Sequence, residues 1–522
     1  MTPRVAVVGG GIAGLAAAWY LRAADPPPAV TLVEASPRLG GKLCTRQIAG
    51  VQVELGADSY LTRPEHAERL CHRLGLGDDL VRPATSHAQV WVGGRLRPLP
   101  EGILSGLPTR LAPLLRSGLL SAGGVARAAF DLVLPRTTDL EQAAVGTFVR
   151  RRLGREVVNR LVDPLLGGVY AGDVDRLGVT AATPQLAAAA RRHRSLLLGL
   201  RALGRMDDND DRPNFLTVRG GLSRLVDRLQ VDPQGGGQAV PRGRGRVDGP
   251  VAHRGMEVLS PVAARRLLPL AEGYRIELVA SGGRGQAEVE ALEVDGVVVA
   301  VPAFAAATLL REAAPVAASA LDTIRYASVA VVTLIYPPGT PTPAGSGVLV
   351  PSGEGRLVKA VTWVSSKWPH VALDGSVVVR ASVGRDGADK LLDRDDDELV
   401  AGVRVDLADL AGIRTAPTEA FVTRWERALP QYEVGHPHRV RLVEQALARL
   451  PGVVVTGSAY RGVGIAACVR DAEQTAGRLL ALFNATPEPA EPGDTREPVP
   501  DGSSRPSGVP SPRTLRRRAP QR

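Results

Sequence analysis

The chain of 522 residues is 44% hydrophobic and 23% charged, a composition that gives room for two to four domains with cores of their own. Its 64 Lys and Arg against 54 Asp and Glu leave a formal charge of +10, with Arg far outnumbering Lys. A basic balance suits polyanions or an anionic surface, but no nucleic-acid motif or aromatic-laced basic patch accompanies it, so nucleic acid is not expected as a partner. Cysteines occur only at positions 44, 71 and 468, with no CxxC spacing; this excludes a disulfide framework and a cysteine zinc site, and fits a reducing, cytoplasmic setting.

The first predicted element is a strand, Arg4-Val-Ala-Val-Val8, that runs into Gly9-Gly-Gly-Ile-Ala-Gly14 and a helix. No basic and then apolar leader precedes it, so no signal peptide is expected. The next apolar run, Val30–Val33, closes on Glu34, twenty residues after Gly14. Strand, glycine turn, helix, strand and acid in this order form a dinucleotide-binding fingerprint. Gly9 serves the tight turn, Gly11 the approach of a pyrophosphate, and Gly14 the packing of helix on strand. With Gly10, Ile12 and Ala13 they offer backbone N–H groups at a helix N-terminus, where phosphates are favoured. Glu34 is placed to accept from a ribose hydroxyl.

Past Glu34, the run Ala35-Ser-Pro-Arg-Leu-Gly-Gly-Lys42 adds a second glycine turn with cationic side chains, suited to further phosphate contacts. This extended opening resembles that of the flavin amine oxidase and porphyrinogen oxidase superfamily. The resemblance implies FAD as the dinucleotide, with Ala35 and Lys42 among its contacts; a solvated loop charge is the alternative for Lys42. Superfamily members that tether their flavin use a Cys in a C-terminal motif. Here that motif, Thr456–Ile465, contains none, so FAD is expected without a covalent link. In Glu54–Leu61, the resemblance makes Gly56, Ala57, Asp58 and Ser59 a turn passing the flavin ring, where small residues let backbone come close.

From 86 to 214 the pattern reads as helical. The leucines of Leu96–Leu134 are broken by Pro, Gly and Arg, and Ala143–Leu166 is charged and amphipathic. The first part suits either a membrane surface or the core of a substrate-side domain. Asp163-Pro-Leu-Leu-Gly-Gly-Val-Tyr-Ala-Gly-Asp173 resembles a segment of the bacterial porphyrinogen oxidases. So do Arg219-Gly-Gly-Leu222, Arg424–His436 and Gly462–Arg470, and the likeness spans nearly all of residues 1–484.

Phe215–Leu229 reads as a strand, a Gly-Gly turn and a helix. Residues 231–256 are rich in Gly, Arg and Pro without periodicity, as in a loop or a locally shifted reading frame. Strands are expected at Tyr274–Val279 and Asp295–Pro302, the latter leading to a helix at Ala303–Leu310, and again at Tyr326–Tyr336, which is too short to span a membrane. Residues 320–412 alternate strands with a helix that begins in Asp393–Glu398, and 415–484 return to the cofactor. From Ala485 the chain is rich in Pro, Ser and Glu and reaches Arg516-Arg-Arg518, a composition expected to stay disordered.

The expected fold is α/β, or α+β overall. A discontinuous Rossmann-like FAD-binding domain takes 1–85, 215–310 and 415–484; a helical substrate- or membrane-side domain takes 86–214; a sheet-bearing substrate domain takes 311–414; the tail is 485–522. By resemblance, Val262 lies against the adenine and Trp425 beside the flavin, with plain core as the equal alternative for Trp425. Val463, Gly464 and Ile465 open a helix whose N–H groups would face the flavin edge where negative charge builds. For substrate the resemblance points to Arg63 on a propionate, to the Gly168 carbonyl on pyrrole N–H groups, and to Gly347 and Leu349 in the loop Ala344–Pro351; a turn or surface role is the alternative for each. No His, Asp and Ser constellation marks a general base, and no metal is expected.

The activity implied is FAD-dependent oxidation of a porphyrinogen in heme biosynthesis, in three two-electron cycles, with O2 reoxidising the flavin to give H2O2. Charge and the likeness to the soluble bacterial branch favour coproporphyrinogen III, with four propionates, over protoporphyrinogen IX, with two. The low aromatic content of 4% and the absent tethering Cys speak against a flavin amine oxidase. Oligomeric state is not legible, and a peripheral contact with the inner face of the cell membrane stays open.

Overall fold

Val5–Val8 is buried on both faces, the mark of an interior parallel strand. In the computed structural model, which describes residues 2–484 apart from 105, 137–138, 208–211, 232, 234–250, 254–255, 282–289 and 373, this strand lies inside a six-stranded sheet. The order is Val251–His253, Met256–Leu259, Ala29–Val33, Arg4–Val8, Gly296–Val299, Val453–Val455. All neighbours are parallel except the first pair. Side chains alternate between faces: Val5 and Val7 join a core with helices Ile12–Arg22 and Ile465–Asn484. Ala6 and Val8 join a core with Ala303–Leu310, Pro315–Asp322 and His436–Leu447. Helices on both faces of a parallel sheet make the expected Rossmann-like layer, and the mixed α/β class stands.

A second sheet has seven strands in the order Glu419–Pro430, Tyr326–Tyr336, Val377–Val383, Val358–Trp363, Gly347–Leu349, Ala88–Val92, Arg95–Pro98. Ala330, Val332, Leu334, Val379 and Ala381 pack on helix Asp396–Ala411. That helix starts where the Asp395 carboxylate accepts the Glu398 N–H at 2.8 Å, and stops at Gly412 with φ +70°, a capped start and a left-handed stop. Ile335 and Val378 face the other way, toward Val51, Val53 and Leu55 of the cofactor segment.

Helices Val145–Leu153, Asp163–Tyr170, Pro184–Arg192 and Leu196–Asp207 share a further core with Leu114 and Leu119. A buried ion pair ties this layer: Arg152 Nε lies 2.5 Å from Asp131, whose other oxygen accepts from Ser195 Oγ at 2.7 Å and Leu197 N at 3.0 Å. Among the described residues no helix is long and apolar enough to cross a membrane.

Three features differ from the sequence reading. The stretch expected to turn helical at 86 begins with strands Ala88–Val92, Arg95–Pro98, Ile103–Leu104 and Leu107–Pro108; the first is claimed by pairing with Gly347–Leu349, far away in sequence. Glu419–Pro430, counted with the cofactor segment, is an edge of the second sheet. Within 231–256, Val251–His253 and the first residue of Met256–Leu259 are strand, and Met256 pairs with Val30. Most of the rest of that stretch, and the tail from 485, lie outside the described residues.

Candidate functional site: a dinucleotide cradle between two sheets

Gly9 has φ +111°, and a Cβ there would lie 2.7 Å from the Ala300 carbonyl oxygen; a Cβ on Gly14 would lie 1.8 Å from the Gly9 oxygen. Strand and helix meet through bare backbone, so only glycine fits either place. Gly11 is the contrast, with nothing within 4 Å of where its Cβ would point. No side chain caps helix Ile12–Arg22. Its first N–H groups, those of Ile12 and Ala13 included, are therefore capped by no side chain, the arrangement that suits a phosphate acceptor. The Glu34 carboxylate accepts from Gly10 N at 2.6 Å and from Ser36 N and Oγ at 2.8 and 2.7 Å, which fixes it beside the glycine turn. Ala35 is exposed just beyond. Val262 is stitched to the same place, since its N–H donates to the Glu34 oxygen at 2.8 Å.

The second glycine turn stacks on the first. Gly40 N donates to Gly10 O at 2.7 Å, and a Cβ on Gly41 would lie 3.3 Å from Gly11 Cα. Arg38 departs from the expected phosphate contact: its guanidinium donates to the carbonyls of Leu39 and Leu43, 2.9 Å each, and of Gly41. Its charge shapes the turn, and Lys42 is left as the cation there. Lys42 takes part in no ion pair or side-chain hydrogen bond among the described residues, and burial presses its pKa down. An unpaired ammonium taken out of water is unfavourable until an anion meets it.

Gly56 is also demanded by contact: a Cβ would lie 2.0 Å from Lys42 O and 3.3 Å from Trp425 Cζ2. Ala57 N donates to Lys42 O at 3.2 Å, and Trp425 Nε1 donates to Leu55 O at 2.9 Å. The structure thus gathers Lys42, Gly56, Ala57 and Trp425 at one point. The side chain of Asp58 braces this turn instead of standing free. It accepts from Ser59 Oγ at 3.0 Å and Lys367 Nζ at 3.2 Å, with Arg380 at 3.9 Å. Burial alone would raise its pKa, but Lys367 and Arg380 outweigh burial and hold the carboxyl well below the usual range.

Glu54 is the opposite case. Burial pushes its pKa up to about 7, although one oxygen accepts from Leu222 N at 2.6 Å and Thr45 Oγ1 at 3.0 Å. Its other oxygen is buried without a partner.

At the far end of the cradle, Gly464 is exposed and nothing lies within 4 Å of where its Cβ would point; beside it Val463 packs on the helical core and Ile465 is buried where helix Ile465–Asn484 starts. Two residues that sequence reasoning passed over hold this turn. Tyr432 Oη donates to Ser458 O and accepts from Gly462 N, both at 2.7 Å. Asp471 accepts from Thr456 Oγ1 at 2.8 Å and Arg461 at 2.6 Å. Arg380, also missed, had one signal: a lone Arg in the apolar run Val377–Val383.

On the substrate side, a Cβ on Gly168 would lie 3.9 Å from Leu349 Cδ2, so these two expected contacts meet. Gly347 is explained by packing: a Cβ would lie 2.2 Å from Val361 O, on the paired strand. Arg63 is half-buried in the separate turn after Tyr60–Leu61. Among the described residues no group of three or more His, Cys, Asp or Glu could hold a metal ion.

The open positions and the unpaired Lys42 fit a flavin dinucleotide, and known proteins agree. The chain is 36% identical over 481 residues to the Coproporphyrinogen III oxidase of Bacillus subtilis (strain 168), covering 89% of this chain and 95% of that one. It is 31% identical to the Protoporphyrinogen oxidase of Bos taurus, covering 91% and 98%. A solved structure from Exiguobacterium sp. 255-15, provisionally named a protoporphyrinogen oxidase, has a TM-score of 0.75 at 31% identity and covers 91% and 98%. Cyclohexylamine Oxidase from Brevibacterium oxydans IH-35A shares the fold, with a TM-score of 0.63 at 18% identity and coverage of 92% and 100%. Residues 12–480 match the family described as flavin containing amine oxidoreductase, and the chain belongs to that family.

Proposed function

We propose that the protein is an FAD-dependent oxidase that converts coproporphyrinogen III to coproporphyrin III in heme biosynthesis, using O2 and releasing H2O2. The observation that carries this reading is the likeness, nearly end to end, to a protein named Coproporphyrinogen III oxidase. FAD, when bound, supplies the two-electron acceptor for each step. The chain supplies its seat. Gly9–Gly14 and Glu34 would hold the dinucleotide, Val262 its adenine end, Lys42 its anionic part, and Gly56–Ser59, Trp425 and Val463–Ile465 its ring. Gly168, Leu349 and Arg63 would position the substrate, and the side chains around them would keep water out.

The discontinuous cofactor domain and the separate substrate domains remain part of this proposal. So does a cytoplasmic protein with a peripheral contact to the inner membrane face, which Leu115, Phe130 and Val133, each more than half exposed, would serve. The test is aerobic turnover of purified holoenzyme. The proposal expects coproporphyrin III fluorescence to rise with three O2 consumed per porphyrin; flavin-bound protein that yields no porphyrin would refute it.

A further inference from the structure

The chain contains only four lysines, at 42, 359, 367 and 390, in a sequence that otherwise uses Arg for its cations. Lys390 is exposed. Lys42 and Lys367 belong to the cradle already described. Lys359 remains: it is 4% exposed and sits at a bulge in strand Val358–Trp363, where the register shifts between Val358 and Ala360. A bulge re-aims a side chain that a regular strand would fix.

A second cation adjoins it. Lys359 O accepts from Val350 N at 2.9 Å, and Arg385 donates to Val350 O at 2.6 Å. The Arg385 guanidinium and the Lys359 backbone therefore both border Val350, which directly follows Leu349, and the Arg385 charge is felt at the Lys359 side chain. Arg385 Nη1 also lies 3.0 Å from where a Cβ on Gly167 would be, next to Gly168. Neither Lys359 nor Arg385 takes part in an ion pair among the described residues; the carboxylate felt by Arg385 is Asp163, which accepts Ser352 N at 2.7 Å. Burial and the neighbouring guanidinium press the Lys359 pKa down to about 7. Two adjacent, desolvated cations with no ion-pair partner among the described residues are unfavourable in the protein alone and favourable once a carboxylate lies between them.

We propose that Lys359 and Arg385 together receive one carboxylate of the substrate, beside Gly168 and Leu349. The proposal rests on the porphyrinogen reading for the identity of that substrate as a propionate-bearing tetrapyrrole. Loss of the receptor costs affinity for the free acid and leaves an uncharged analogue untouched.

The test uses holoenzyme with its flavin content measured, in wild type, Lys359→Met and Arg385→Gln forms. Dissociation constants for coproporphyrin III and for its tetramethyl ester are read by fluorescence quenching, beside KM and kcat for coproporphyrinogen III. The expected result is about a tenfold or larger loss of affinity for the free acid, a matching rise in KM with kcat retained, and no change for the ester. Melting temperature should hold or rise in Lys359→Met, because an unpaired buried charge has been removed. An unchanged acid-to-ester ratio in either variant that retains flavin overturns the receptor. Tight acid binding by a wild type that oxidises no porphyrinogen would instead sink the functional reading and leave the receptor standing.

Discussion

Gly14 and Glu54 show how single residues are fixed by what surrounds them. A Cβ on Gly14 would lie 1.8 Å from Gly9 O, so Gly14→Ala must push helix from strand. Overpacking of this kind costs about 1–3 kcal/mol, and the shift falls on the phosphate seat. Gly14→Ala apoprotein should therefore bind FAD about 5- to 140-fold more weakly than wild-type apoprotein (about 1.4 kcal/mol per decade), read by flavin titration; unchanged affinity would contradict the cradle. Glu54 tests the other extreme. Its pKa, pushed up to about 7 in the fold, exceeds the unfolded value of about 4.3. The folded state thus holds the proton more tightly, and the stability it contributes is complete below about pH 4.3 and lost as pH rises through about 7. Glu54→Gln keeps an acceptor for Leu222 and Thr45 while removing this titration. Its melting temperature should fall less than that of the wild type between pH 5 and 8, and parallel curves would refute a neutral Glu54.

At the scale of elements, a buried ion pair fastens the helical layer. Asp131 and Arg152 are 0% and 4% exposed, and Asp131→Ala would leave the guanidinium buried without its partner, at a cost of about 3–5 kcal/mol. The variant should melt well below the wild type, while any protein that folds keeps an ordinary flavin spectrum, because the pair lies in the helical layer. A changed spectrum at unchanged stability would contradict this division of labour. Local patterns made several elements legible: the all-apolar run at Tyr326–Tyr336, the strand-to-helix step at Gly296–Leu310, and the glycine turn with its acid. What was not legible depends on partners remote in sequence. Ala88–Val92 is a strand because Gly347–Leu349 pairs with it, and Met256–Leu259 because Ala29–Val33 does. The glycines of the first turn were readable because bare backbone is a local requirement there. Tyr432 was not, and Arg380 showed only as a lone charge in an apolar run, because their roles exist only once the segment 430–436 and the second sheet close on the cradle.

For the whole molecule, a charge of +10 should favour capture of a polyanion over long range, an effect that salt screens within about 10 Å at 0.1 M. Raising ionic strength should lower kcat/KM more for coproporphyrinogen III than for protoporphyrinogen IX; equal slopes would assign the charge to surfaces the substrate never meets. The central claim, that this flavoprotein takes its electrons from the four-propionate substrate, is tested most directly by anaerobic mixing with each porphyrinogen while flavin absorbance is followed. The account predicts faster bleaching by coproporphyrinogen III than by protoporphyrinogen IX, with porphyrin formed. Faster bleaching by protoporphyrinogen IX would contradict the assigned substrate, and bound flavin that neither reduces would contradict porphyrinogen oxidation altogether.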